Sequence, residues 1–342
     1  MRCFDSRSRL FADGTDRIKQ KRGIEQLTKL DEVRSVCEKK KMMLQRLQPH
    51  QHDELAKLLH ASLDAWHRAR LNVDRFGTEW EPFRLTVDVY EALDPGCCVV
   101  AVDDAGALIG SAFFHPRETH VGVGVVTVLP SAFGRGVGRA LMEEILRVAE
   151  GKPLRLVSSA MNLDSFSLYT RLGFVPQMML QSMTMHVPAA GLPGAGSRMR
   201  AATMADVPRI ADYEFRMNGI RKEKDYRFFV ENKSGCWRLS VIEKPDGALA
   251  GFLAASALPT DNMLGQGLAD DEATMLELLR TTMDRHFRGQ TVAFILPSQR
   301  SALVQQAYAW GARNRETNIL SVLGEAPAMR GITLPTFLPE SG

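Results

Sequence analysis

Gly106-Ala-Leu-Ile-Gly110 returns with one substitution as Gly247-Ala-Leu-Ala-Gly251, 141 residues later, and Leu172-Gly173 is answered by Trp310-Gly311 at an offset of 138. Two landmarks at nearly one spacing imply an internal duplication. A chain of 342 residues has room for two domains of about 150 each. The stretch from Pro188 to Ser197 is rich in Gly, Pro and Ala with almost no charge, which is linker composition. The expected organisation is therefore an extension over 1–43, a first repeat over 44–188, a linker over 189–197, a second repeat over 198–325 and a tail over 326–342.

Within the first repeat the apolar pattern alternates between strand and helix periods. Leu44 to Leu47 alternates as a strand, and Leu55, Leu58, Leu59 and Leu63 recur at helical spacing. The stretch around Arg68 to Tyr90 lacks clean periodicity and is expected to be helix plus a long loop. Cys98–Val102 and Leu108–Phe114 flank the turn Asp103-Asp104-Ala105-Gly106 as a hairpin, and Val121–Leu129 forms a further strand. A helix is predicted over Val137–Glu150, a strand over Leu154–Ser158 and a helix over Ser165–Leu172. The order restarts after the linker with a strand at Met199–Ala202, a helix at Val207–Glu214 and a hairpin of Leu239–Glu243 with Leu249–Ala255. The fold class is α/β, with a mixed sheet and one fold present twice.

Composition narrows the function. Hydrophobic residues are 45% and charged residues 24%, the balance of a globular protein with a real core. No apolar run approaches the roughly 18 residues of a membrane span. Residues 1–43 hold twelve Lys/Arg against seven Asp/Glu, with no apolar h-region of a signal peptide. That basic arm is read as a solvated extension rather than a nucleic-acid or membrane contact, and Met42 or Met43 offers an alternative translation start. Five cysteines, two of them adjacent (Cys97, Cys98), suit neither a disulfide framework nor metal spacing. A reducing cytoplasm and no metal are expected.

The chemistry is concentrated in Val128-Leu-Pro-Ser-Ala-Phe-Gly-Arg-Gly-Val-Gly-Arg-Ala-Leu-Met142. A strand ends, a turn holds Gly134, Gly136 and Gly138, and a helix starts. Free N–H groups and the helix dipole make that junction an anion site. No Lys-Ser/Thr pair follows, so it is not a nucleotide P-loop, and the glycine spacing is not that of a dinucleotide fold. Arg135-Gly-Val-Gly138-Arg-Ala140 resembles the R/Q-x-x-G-x-G/A signature of the GNAT superfamily of N-acetyltransferases, with Val128-Leu129-Pro130 before it. Asn162-Leu-Asp-Ser-Phe-Ser-Leu-Tyr169-Thr-Arg-Leu-Gly173-Phe174 resembles the later block of that family. The resemblance covers residues 44–188 well and 198–325 loosely.

The resemblance implies an acyl donor, acetyl-CoA, and an amine acceptor on a small molecule or a protein. It implies that the Val128 main chain holds the pantetheine arm and polarises the thioester. The N–H groups of Arg135, Gly136, Val137, Gly138, Arg139 and Ala140 would hold the pyrophosphate. Tyr169 would be the general acid that protonates the leaving thiolate; its other reading is a core aromatic. Asn162 is either a pantetheine ligand or a helix N-cap. The general base is open: Glu118 and His120 are the candidates, His115 stands near them, and Glu79, Trp80 and Glu81 lie in the loop where acceptor sites of this family are built. In the second repeat Leu264-Gly-Gln-Gly-Leu-Ala-Asp-Asp-Glu-Ala-Thr-Met-Leu276 sets carboxylates where phosphate would bind, and Ala307 stands opposite Tyr169. That repeat is expected to be degenerate. The alternative to an enzyme is a sensor or scaffold that binds acyl-CoA without turnover.

Overall fold

The computed structural model describes residues 42–194, 196, 198–258 and 262–336. The expected N-terminal extension lies outside them except for Met42 and Met43, which open the first strand. The first half runs β1 (Met42–Arg46), α1 (His52–Leu71), α2 (Pro82–Leu93), β2 (Cys98–Asp103), β3 (Leu108–Pro116), β4 (Val121–Val128), α3 (Val137–Val148), β5 (Leu154–Ser159), α4 (Leu163–Arg171) and β6 (Val175–His186). The second half repeats that order: β7 (Met199–Ala201), α5 (Asp206–Asn218), α6 (Glu223–Glu231), β8 (Trp237–Glu243), β9 (Leu249–Ala257), β10 (Asn262–Ala269), α7 (Glu272–His286), β11 (Thr291–Pro297), α8 (Ser301–Ala309) and β12 (Arg313–Leu323). A short β13 (Ile332–Leu334) follows. The duplication reaches the backbone angles: Gly106 and Gly247 turn at φ of 82° and 83°, and Gly173 and Gly311 both at 95°. The irregular stretch after Arg68 consists of the end of α1, a loop, and α2, which Pro82 opens at a first-turn position where its missing N–H costs nothing.

All strands join one sheet, in the order β1-β2-β3-β4-β5-β12-β6-β11-β10-β9-β8-β7, with β13 beside β10. The last strands of the two halves have changed places. β12 pairs antiparallel with β5, from Asn318 opposite Ser159 to Leu323 opposite Leu154. β6 pairs with β11, from Thr291 opposite His186 to Pro297 opposite Leu180. The exchanged strands also pair with each other, so β5-β12-β6-β11 is the seam of the molecule. The cores follow the strands. Met183, Met185 and Val187, encoded in the first half, are buried with Leu278, Leu279, Phe287 and Phe294 of the second. Leu323 packs against the first core, around Leu141, Ile145 and Phe174.

A second clasp lies at the far end of β3 and β4. Arg117 is buried and meets Asp94, at the C-terminus of α2, with two nitrogens at 2.9 and 3.0 Å. Its Nε lies 2.7 Å from Asp225 of α6. His115 Nδ1 is 2.7 Å from Asp94, and Lys224 bonds the same carboxylate. Burial alone would raise the Asp94 pKa, but the His115 hydrogen bond and the Arg117 guanidinium together hold it well below the usual carboxylate range.

Two outcomes follow from this architecture. Residues 42–188 expressed alone lack β12, the outer partner of β5, and both neighbours of β6, with Met183, Met185 and Val187 uncovered. Each such side chain is worth about 1.5–3 kcal/mol when buried. The fragment should aggregate or lose cooperative melting, and co-expression with 189–342 should restore a soluble complex on size-exclusion chromatography. Arg117→Met removes the guanidinium shared by two buried carboxylates and should cost about 3–5 kcal/mol in denaturant unfolding. Asp94 stabilises the fold above its unfolded pKa of ~3.9, and that contribution is lost as pH falls through the depressed folded value. Acid unfolding of the variant should therefore begin at higher pH than in the wild type.

Candidate active site

β4 and β5 run parallel only where Val121 meets Leu154 and Gly122 meets Arg155; beyond that point they part. On the other side of β4, Leu129 donates to Ile109 O at 3.0 Å, and Gly110 stands opposite Val128. Alternation along an antiparallel pair then turns the Val128 N–H and C=O away from β3, toward the gap. Ser62 of α1 already donates to that carbonyl at 2.9 Å. The gap opens into a cavity of about 1760 Å³ lined by β4, β5, the glycine turn, α1 and α4. Sites for one small ligand are typically ~300–1,000 Å³, so there is room for two substrates.

The glycine turn forms one end. Gly136 is the N-cap of α3 with φ of 83°, a left-handed conformation that side chains resist. No side chain caps this helix, and its first turn carries no acid. Ala140 already donates to Gly136 O at 3.0 Å, so the N–H groups left over by helix geometry are those of Gly136 to Arg139. Ala140 is buried, and Arg135 is exposed without lining the cavity. The donor set is narrower than the signature suggested, because the helix takes up its own fourth amide. Arg139 lines the cavity, and its side chain pairs with Glu143 at 2.7 Å.

Tyr169 and Asn162 lie on the wall made by α4. Burial pushes the Tyr169 phenol up to about 12 against a smaller opposing effect of a hydrogen bond with Ser165, so the group stays neutral. Asn162 is the N-cap of α4, its Oδ1 accepting from Ser165 N at 3.1 Å, and it faces the cavity as well.

Glu118 and His120 are elsewhere. Both sit in the β3–β4 turn, at the end of β4 away from Val128, and neither lines the cavity. Glu118 accepts from the Glu223 N–H at 3.2 Å, tying the turn to α6. His120 is buried beside Lys222, Arg155, Arg117 and Lys152; burial first and those cations second keep it far below its ordinary pKa. A hairpin that clasps the other half cannot also reach the cleft, so neither residue is placed to take the acceptor's proton. His115 is spent on Asp94. Of Glu79, Trp80 and Glu81, only Glu81 reaches the cavity.

Sequence reasoning missed Ser62, His67, Glu316 and Asn318, which all line it. A serine and a histidine inside an amphipathic helix carry no signal of their own. Glu316 and Asn318 arrive through strand exchange. His67 is a weak proton acceptor: burial lowers its pKa, its Nδ1 lies 2.8 Å from the Leu63 carbonyl, and Arg75 meets Nε2 at 3.3 Å.

The matching region of the second half is closed. Gly251 stands opposite Ala269 as Gly110 does opposite Val128. The eight residues between β4 and α3 shrink to two, Asp270 and Asp271, between β10 and α7. Asp271 caps α7 itself, accepting from Thr274 N at 2.7 Å. β13 then pairs with Gly267, Leu268 and Ala269, the positions equivalent to Val126, Thr127 and Val128. A small pocket of about 10 Å³ lies beside β13, between Gly267 and Arg155. Ala307 is buried where Tyr169 stands in the first half. Among the described residues no cluster of metal ligands exists, and no helix is long and apolar enough to cross a membrane.

The sequence model of the acetyltransferase (GNAT) family matches residues 60–174. No curated protein sequence matches the chain. A Pyrococcus horikoshii protein assigned as an acetyltransferase superposes with a TM-score of 0.68 at 13% identity, over 87% of this chain and 95% of its own. A tandem GNAT protein from the clavulanic acid biosynthesis pathway does so at 0.56 and 13%, over 84% and 99%. Saccharomyces cerevisiae N-myristoyltransferase with bound myristoyl-CoA gives 0.51 and 9%, over 83% and 78%. At these identities the likeness is one of fold.

Titration calorimetry with acetyl-CoA should give one site per chain, and none in Gly138→Glu. A Cβ on Gly138 would meet only Leu168 and Val128, at 3.5 and 3.7 Å, so the variant should fold normally. A stoichiometry near two, or binding retained in that variant, would contradict the assignment of the loop.

Proposed function

We propose that this chain, whose residues 60–174 form a domain of the GNAT acetyltransferase family, moves an acetyl group from acetyl-CoA to a primary amine of a small molecule or protein. The observation that carries the reading is that one cavity joins an uncapped, acid-free helix N-terminus to a buried neutral phenol. The pyrophosphate would take the amides of Gly136 to Arg139, with the helix dipole behind them. The pantetheine would lie along β4, its thioester near Val128. Among the described residues Cys97, Cys98 and Cys236 are free thiols, which fits a cytoplasmic location.

The reaction is direct attack. An alkylammonium with a pKa of ~10.4 must first lose a proton, a cost of roughly 4–5 kcal/mol at neutral pH. The nitrogen then adds to the thioester carbonyl, and collapse of the tetrahedral intermediate expels the thiolate. Tyr169 donates its O–H to that sulfur. Its raised pKa keeps the phenol protonated throughout the working pH range, and the same burial that raises it strengthens the hydrogen bond it gives.

Release of free CoA thiol over a panel of amines separates an enzyme from a binding protein. Tyr169→Phe should keep acetyl-CoA affinity and lower kcat by about 10²–10⁴-fold. In the wild type, kcat should show no alkaline loss from this phenol below about pH 10, because its ionisation is displaced toward 12. Acetyl-CoA affinity without turnover of any amine would favour the sensor reading. Octanoyl- and myristoyl-CoA in the same assay set the acyl preference.

A further inference from the structure

Three carboxylates line the cavity: Glu81, Asp164 and Glu316. Glu81 is exposed, and Asp164 is exposed and pairs with Arg70 at 3.1 Å. Glu316 is half-buried, and among the described residues nothing forms a hydrogen bond or ion pair with its side chain. It lies on β12, the strand exchanged from the second half, and two residues on along the strand stands Asn318. Asn318 is 1% exposed, and its Nδ2 lies buried without a hydrogen-bond partner while the residue lines the cavity. Its place is fixed from both sides, by Ser159 across one ladder and Leu180 across the other. Ser256 of β9 is also 1% exposed, lines the cavity and has an unpartnered Oγ.

A buried amide left without a partner is destabilising, and folded proteins keep few such groups. Here a carboxylate and a donor amide share one strand and one cavity. The β12 wall is therefore polar and, at Asn318, unsatisfied.

We propose that the second half recognises the acceptor, with Glu316 receiving the substrate ammonium and Asn318 Nδ2 donating to an oxygen beside it. This rests on the acetyl-transfer reading above and specifies its substrate class: a compact amine with a neighbouring hydroxyl or carbonyl oxygen, of the amino-alcohol, amino-sugar or amino-amide type. Glu316 takes one proton from R–NH3⁺ and passes it to solvent. The freed lone pair forms the C–N bond, the C–S bond breaks, and the sulfur keeps its electron pair. Tyr169 protonates the sulfur and regains a proton from the nitrogen through solvent. The products are the amide, CoA thiol and one released proton.

The test uses the full chain with 2-aminoethanol, glucosamine and glycinamide against propylamine and a lysyl peptide as acceptors. The oxygen-bearing amines should be the better substrates. Glu316→Gln should lower kcat/KM for the best of them by about 10–100-fold, with acetyl-CoA affinity and melting temperature unchanged. Asn318→Ala should raise KM for the oxygen-bearing amine and bring its preference over propylamine toward unity. Wild-type kinetics in both variants, or a preference for propylamine or the lysyl peptide, would overturn the proposal. Should the wild type turn over none of these amines, binding of 2-aminoethanol to the CoA-loaded protein decides separately. Affinity lost at least tenfold in Glu316→Gln upholds recognition although catalysis has failed, and equal affinity in the two proteins, or no binding to either, overturns it.

Discussion

Everything in this molecule depends on backbone hydrogen bonds that neither half can complete alone. β5 finds its outer partner in β12, and β11 finds its own in β6. An open strand edge inside a half-built sheet is a row of unmet donors and acceptors, and here each half meets the other's need. The side chains carry the same dependence, since β6 delivers Met183 and Met185 to the opposite core. The interface is thus a continuous sheet rather than two finished surfaces in contact. The Arg117 cluster adds a charged clasp at one end, where each carboxylate is balanced by a specific cation.

The duplication has had two fates that differ by a few residues of chain. In the first half a long glycine turn leaves the α3 amides unclaimed, and β4 parts from β5. In the second half the turn is cut to two aspartates, one of which caps the helix, and β13 fills the place where the strands would part. The fold is the same; the difference is whether the protein's own groups satisfy the amides or leave them open. A degenerate repeat is not thereby an idle one, because its last strand forms part of the first repeat's cavity.

The repeated hairpin, the glycine turn and the Tyr169 block were legible in the sequence because each is local: a periodicity, a turn or a helix register. Tyr169 falls on α4 and Asn162 at its N-cap, and both line the cavity. The strand exchange was not legible. Alternation along Val175–His186 marks a strand face but says nothing about which of two near-equivalent edges it will join. The missed Glu316 follows from the same cause, since it lines the cavity only once β12 stands beside β5. Glu118 and His120 drew attention because they are polar residues bordering an apolar strand, and they proved to be at its wrong end. Linear proximity to β4 could not say which end of the strand opens.

The exchanged topology also sets a schedule for synthesis. β5 leaves the ribosome with residue 159, but its partner β12 is not complete until residue 323. At ~5–20 residues per second of elongation, the nascent first half waits about 8–30 seconds with one sheet edge bare, far longer than the microseconds in which hairpins form. Local strand pairs in that half can form early, yet its last ladder closes only near the end of translation. A chain built this way is most exposed to misassociation while it is still being made, and the rate at which codons of the second half are read becomes a determinant of how much of it folds.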